Sequence, residues 1–248
     1  MSAPAPVWRS TLTATGMELR LSARRGENLL VTIVIPAVVL VFFASVGVLA
    51  TPQPAVDFLL PGSLALAVIA TSLVSLGIAT AYERHYGVLK RLGGSPLPRA
   101  GLIAAKVAAV LVIELVQVVL LVAIAAGVLG WRPPPTVSPA LLVVALVVGT
   151  ATFAGIGLAM AGRLRAEATL ALANGLFLVF LLLGGIVIPI DHLPGALEAV
   201  ARVLPAAPLA DVFRVTLGAG GDATGPLAVL LVWAVVAIAV AATTFRWE

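Results

Sequence analysis

Tyr82-Glu83-Arg84-His85-Tyr86-Gly87-Val88-Leu89-Lys90-Arg91-Leu92-Gly93-Gly94-Ser95-Pro96-Leu97-Pro98-Arg99 gathers four of the chain's fifteen Lys and Arg residues and one of its two His residues between two long apolar stretches. This polar island is the densest store of reactive groups in the sequence, and their pattern suits contact with another protein better than catalysis. The chain has no H-E-x-x-H zinc motif and no G-x-S-x-G nucleophile turn. Its only lysines, Lys90 and Lys106, follow Leu89 and Ala105 instead of a glycine-rich loop, so no phosphate-cradling P-loop is present. The absence of cysteine excludes disulfides, thiol catalysis and Cys-ligated metal. No catalytic residue, metal site or cofactor is expected in this chain.

A second set of candidates lies inside the apolar stretches. Glu114 is twelve residues past Leu102, about 18 Å along a helix and so near the centre of a bilayer. An ionised acid there costs several kcal/mol unless paired, hydrated or protonated. Gln117 follows one turn later on the same face. The two read as a polar patch on a substrate path or a dimer seam, against the plainer alternative of a hydrogen-bonded Glu in helix packing. Asn174 joins them as a weaker candidate whose simpler role is packing. Ala151, Gly155 and Ala159 form a small-residue row suited to close helix contact. Arg202 and Arg214 read as surface charges or lipid-headgroup contacts.

The elements that position these residues follow from composition. The chain is 61% hydrophobic and 10% charged, against about 25% charged in soluble domains. Six segments are long enough to cross a bilayer: 29–50, 58–81, 102–129, 139–161, 168–190 and 226–245. Their continuous apolar character selects helices over a barrel. Val48-Leu49-Ala50 resembles a signal-peptidase site. The run before it exceeds the roughly 7–15 residues of a signal core, so it is expected to remain as a span. The expected fold is an all-α membrane protein with an interfacial helix in 1–28 and a six-span membrane domain in 29–248. The N-terminal stretch supplies the interfacial helix through Trp8, Leu12, Thr15, Leu19 and Ala23, with Arg20, Arg24 and Glu27 on other faces. Two short outer-face helices are expected between spans five and six, from Leu193 to Leu204 and from Leu209 to Leu217.

Charge orients this stack. Only Arg132, Arg202 and Arg214 fall on the side opposite the island; the other twelve Lys and Arg residues, from Arg9 to Arg246, share its side. The positive-inside rule then places both termini and the island in the cytoplasm, in a multi-pass inner (plasma) membrane protein. The net charge of +4 is absorbed by topology and implies no nucleic-acid partner. His85 and His192 fall on opposite sides and cannot share a site.

The island pattern Glu83-Arg84-x-x-Gly87-x-Leu89-Lys90-Arg91-Leu92-x-x-x-Pro96-Leu97-Pro98-Arg99 resembles the signature of ABC-transporter permeases of the type-2 exporter family, which includes daunorubicin-type drug-resistance permeases. Pro61-Gly62 also resembles the family, as do Ile188-Pro189-Ile190-Asp191-His192-Leu193-Pro194 and Leu204-Pro205-Ala206-Ala207-Pro208-Leu209. The resemblance implies a bacterial permease subunit working as a homodimer, or with a sister permease, alongside two copies of a separate ATPase. ATP and magnesium would bind that ATPase. It further implies that Glu83, Arg84, Gly87, Lys90, Arg91, Pro96 and Arg99 belong to a coupling helix contacting the ATPase. Gly93-Gly94 and His85-Tyr86 depart from the family pattern. The sparsely charged spans suit a hydrophobic or amphipathic drug, antibiotic or lipid, with a glycolipid or polysaccharide as the alternative. Readings from other classes are an ATPase-independent channel, a structural membrane subunit or an intramembrane enzyme. The channel lacks a repeated polar lining and the enzyme lacks a catalytic pair.

Overall fold

The computed structural model describes residues 6–24, 26–46, 54–94 and 97–244. Val48-Leu49-Ala50, Arg25, Pro96 and Arg246 lie outside them. The described chain folds into helices joined by turns and contains no strand. In order, the helices are α1 (Val7–Arg24), α2 (Gly26–Val46), α3 (Ala55–Val68), α4 (Leu76–His85), α5 (Val88–Gly93), α6 (Arg99–Gly127), α7 (Pro139–Arg163), α8 (Ala166–Leu183), α9 (Gly195–Val203), α10 (Ala206–Thr216) and α11 (Thr224–Thr244). A π-helical segment, Ile69–Ser75, joins α3 to α4 without a break. Among the described residues, five helical units are long and apolar enough to cross a membrane, namely Ala55–His85, α6, α7, α8 and α11, with a shorter apolar stretch at Thr32–Val46 in α2.

The 31-residue unit Ala55–His85 is the axis of the molecule. Every residue from Leu59 to Leu73 is buried, and a helix apolar on all sides must be enclosed by other helices. At 1.5 Å per residue it runs about 45 Å, so it outreaches the roughly 30 Å hydrocarbon layer. Within its π-helical segment, the Thr71 hydroxyl donates to the Ala67 carbonyl at 2.9 Å and the Ser72 hydroxyl to that of Val68. Such bonds four residues back compete with the helix N–H groups, and they accompany the wide turn.

Small residues set the closest crossings. A Cβ on Gly77 would stand 3.1 Å from the Cα of Gly157, which draws the axis against α7. On the other side of α7, a Cβ on Gly155 would fall 2.8 Å from the Ala237 Cβ of α11. The Ala151-Gly155-Ala159 row therefore packs, with Gly155 as its point of contact. Pro61-Gly62 also has a steric explanation. A Cβ on Gly62 would lie 2.4 Å from the Ile186 carbonyl oxygen, so only glycine admits the segment after α8.

Two boundaries differ from the sequence expectation. The fifth span ends at Leu183 instead of residue 190, because Gly184 and Gly185, the latter at φ 63°, turn the chain. The second span continues to His85, so Glu83 and Arg84 belong to its end and not to the island helix. The outer pair of short helices appears as α9 and α10. Only Ala201 of α9 is buried, whereas α10 buries Leu209, Val212 and Phe213 against the core. A short helix that enters a membrane needs protein cover of this kind.

Arg214 corrects an expectation. It is no surface charge: Nη1 donates to Asp211 at 2.6 Å, Nη2 donates to the Gly185 carbonyl, and the guanidinium lies 4.3 Å above the Phe58 ring. Burial lowers its pKa from the ordinary value, and the facing Asp211 carboxylate counters that shift. Arg214 thus pins the glycine turn after α8. Arg202 does lie on the surface, paired with Glu198 at 2.7 Å.

Candidate coupling site

The island folds around one glycine. Gly87 has φ 68°, a left-handed conformation that glycine adopts without Cβ strain. Its N–H donates to the Arg84 carbonyl at 3.0 Å, and its own carbonyl accepts from Arg91 N–H at 3.2 Å. The turn ends α4 and starts α5, so Gly87 has a conformational role here. Pro98 then precedes the first residue of α6, where the missing proline N–H costs nothing.

α5 is two-sided. Leu89 is 1% exposed and belongs to a cluster with Leu76, Leu102 and Leu158 from α4, α6 and α7. Tyr86, 67% exposed, and Val88 face outward with Lys90 and Arg91. Tyr86 stacks on Tyr82 with ring centres 6.1 Å apart, and His85 meets the Tyr86 ring edge-on at 5.0 Å. Arg99 is exposed at the start of α6.

Behind this surface sits a buried ionic cluster that the sequence reading missed. The Lys106 ammonium on α6 donates to Glu83 of α4 at 2.6 Å and to Glu18 of α1 at 2.8 Å. Lys106 is 1% and Glu83 7% exposed. Glu83 therefore points inward and does not offer its carboxylate to the surface. Arg84 is also engaged internally, donating from Nη2 to the Leu164 carbonyl between α7 and α8. Of the expected contact set, Lys90, Arg91 and Arg99 are exposed, whereas Glu83 and Arg84 bond within the protomer. Pro96 is outside the described residues. The missed signal was an ammonium seven residues inside an apolar helix, which calls for a carboxylate partner.

The cluster joins α1 to the island. α1 packs along α6, with Thr11, Thr15 and Glu18 half-buried on one face and Trp8 and Leu12 exposed. Gly101 permits the approach, since a Cβ there would stand 3.2 Å from Thr11 Oγ1.

Glu114 and Gln117 both face the interior of the protomer at 1% exposure, but toward different neighbours. Gln117 Nε2 donates to the Thr32 carbonyl of α2 at 3.0 Å and to Thr71 of the π-helical segment at 2.8 Å. Glu114 meets Thr150 of α7, whose hydroxyl also lies 2.7 Å from the Leu146 carbonyl. One hydroxyl hydrogen cannot serve both acceptors; a carboxyl that carries its own proton, or an amide, completes the chain. Glu114→Gln is therefore expected to leave the thermal midpoint within about 2 °C. Glu114→Leu, which removes this bond while the Thr150 hydroxyl keeps its own to the Leu146 carbonyl, is expected to cost about 0.5–1.5 kcal/mol. A thermal-shift assay on the purified variants checks both.

Asn174 lies apart from those two. It is exposed on α8, donates to the Leu170 carbonyl at 2.9 Å, and lines a cleft of about 420 Å3 with Thr32, Ala70, Val74, Ser75 and Phe177. The walls are apolar, with three small neutral polar side chains and no charge.

Residues 10–217 match the family described as ABC-2 type transporter, a match that runs from α1 through α10. No curated protein matches the chain.

Proposed function

The chain belongs to the ABC-2 type transporter family, and from that membership we propose that it is an exporter permease driven through α5 by a separate ATPase. The family makes it a membrane-spanning permease subunit of an ABC-type transporter, a class that works with an ABC ATPase. The observation that carries the coupling proposal is the two-sided α5. Its inner side is anchored by Leu89, while Tyr86, Val88, Lys90 and Arg91 face away from the protomer. A short helix held between the axis and α6 passes displacement to both. The exposed cations suit an acidic groove on the partner.

In this reading the chain crosses the membrane six times, with α2 as the first span, α1 in the cytoplasmic interface and both termini inside. Two copies form the pathway with two ATPase subunits, which bind ATP and magnesium. The uncharged cleft beside Asn174 receives a hydrophobic or amphipathic molecule, as in drug-resistance permeases of the daunorubicin type. Its apolar walls with few polar groups favour such a substrate over a polysaccharide.

Arg91→Glu tests the coupling. Reversing a charge across an interface costs several kcal/mol. The variant complex is expected to lose substrate-stimulated ATP hydrolysis by about tenfold or more while the permease itself melts unchanged. Parental ATP turnover in that variant would remove α5 from the ATPase contact.

A further inference from the structure

The end of the molecule opposite the island carries a second cleft, of about 320 Å3, lined by Asp57, Trp131, Arg132, Pro134 and Gly218 among others. Its size falls at the small end of the roughly 300–1,000 Å3 range of ligand sites. The walls are held in place by short connections. Trp131 is 6% exposed where α6 ends, and its backbone N–H donates to the Ala125 carbonyl at 2.9 Å. Gly218 has φ 93°, and a Cβ there would fall 2.4 Å from Pro134 Cγ, so glycine seats the turn after α10 on the proline turn. The Ser138 N–H, donating to the Thr216 carbonyl at 3.0 Å, ties the same two segments.

Among the described residues, the charges in this cleft have no ionic counterpart. Asp57 is half-buried in the first turn of α3 and Arg132 is exposed. Among the described residues they form no ion pair, with each other or with a third group. A carboxylate and a guanidinium sharing one cleft without meeting call for a ligand that carries both complementary charges. A simple anion would be drawn to Arg132 and repelled by Asp57, and a simple cation the reverse.

We propose that this cleft binds a phosphoethanolamine zwitterion, with its phosphate on Arg132, its primary ammonium toward Asp57 and its methylenes against the apolar wall that includes Trp131. A guanidinium matches phosphate oxygens in a two-pronged pairing. A primary ammonium supplies three hydrogen-bond donors to a carboxylate, whereas the quaternary ammonium of choline supplies none. Tryptophan at the end of a span is characteristic of headgroup depth. The same chemistry comes from two sources, a phosphatidylethanolamine headgroup and free phosphoethanolamine. The inference is independent of the ATPase contact, because none of its residues lies near α5.

Native mass spectrometry of the purified full chain, after incubation with phosphatidylethanolamine, phosphatidylcholine or phosphatidylglycerol, reads the preference. Phosphatidylethanolamine is expected to be retained most. Arg132→Gln and Asp57→Asn are each expected to weaken its retention about tenfold, the scale of one charge-assisted hydrogen bond. Helical circular dichroism of both variants should match the parent. Displacement of the bound lipid by free phosphoethanolamine assigns the soluble source, and retention against excess assigns the lipid. Equal retention of all three lipids, or parental retention by both folded variants, overturns the proposal.

Discussion

Lys106→Met is expected to lower the thermal midpoint of the purified permease by about 10 °C. The substitution leaves the Glu83 and Glu18 carboxylates facing a buried space that held their shared ammonium, at 2.6 and 2.8 Å. Removing one partner of a buried pair costs about 3–5 kcal/mol, and each kcal/mol is worth about 2–4 °C for a chain of this size. Removing every charge is different, since an apolar replacement of a whole buried pair is often close to neutral. Lys106→Met combined with Glu83→Leu and Glu18→Leu is therefore expected to recover most of the lost stability. Transport should stay impaired in the triple variant, because α1, α4 and α6 would no longer be tied behind the island. A single variant melting within about 2 °C of the parent would show that the cluster contributes little.

Leu89→Ala should act locally. The side chain is 1% exposed and holds α5 against α4, α6 and α7. Such truncations cost about 2–5 kcal/mol. Six residues make too short a helix to persist without tertiary support. The expected result is faster hydrogen exchange at 88–93, by about tenfold or more, with the spans unaffected and ATP-dependent transport lost. Val88→Ala is the control: Val88 faces outward, and surface truncations stay within about 0.5 kcal/mol. Unchanged exchange in Leu89→Ala would show that α5 is held by the chain on either side of it and not by this side chain.

The contrast between these positions explains what the sequence disclosed. Long apolar runs announce spans by themselves, so 102–129, 139–161 and 226–245 differ from α6, α7 and α11 by only a few residues at either end. The fifth apolar run extends past the end of its helix because Gly184-Gly185-Ile186-Val187-Ile188 continues the apolar composition. What ends the helix is a glycine turn pinned by Arg214, 29 residues away from Gly185. Lys106 reads in the sequence as a topological charge. Its partners, Glu83 and Glu18, are 23 and 88 positions distant, and no local spacing reveals such a meeting. Glu83 accordingly turns toward Lys106, an orientation its place in the island pattern does not reveal. Glu114 and Gln117 shared a face as expected, yet that face turns inward to Thr150, Thr71 and α2, away from the surface cleft. Only tertiary packing distinguishes a polar face toward a pathway from one toward a neighbouring helix.

The island's role as the point of contact with an ATPase is open to a direct measurement, because the chain has no cysteine of its own. Val88→Cys places one thiol on the outer side of α5. Val200→Cys places one on exposed α9, at the opposite end of the fold. Each variant would be assembled with its ATPase and treated with a short thiol-to-amine cross-linker. The account predicts a permease–ATPase adduct from position 88 and none from position 200. A complex that forms, hydrolyses ATP and yields no adduct from position 88 would contradict it.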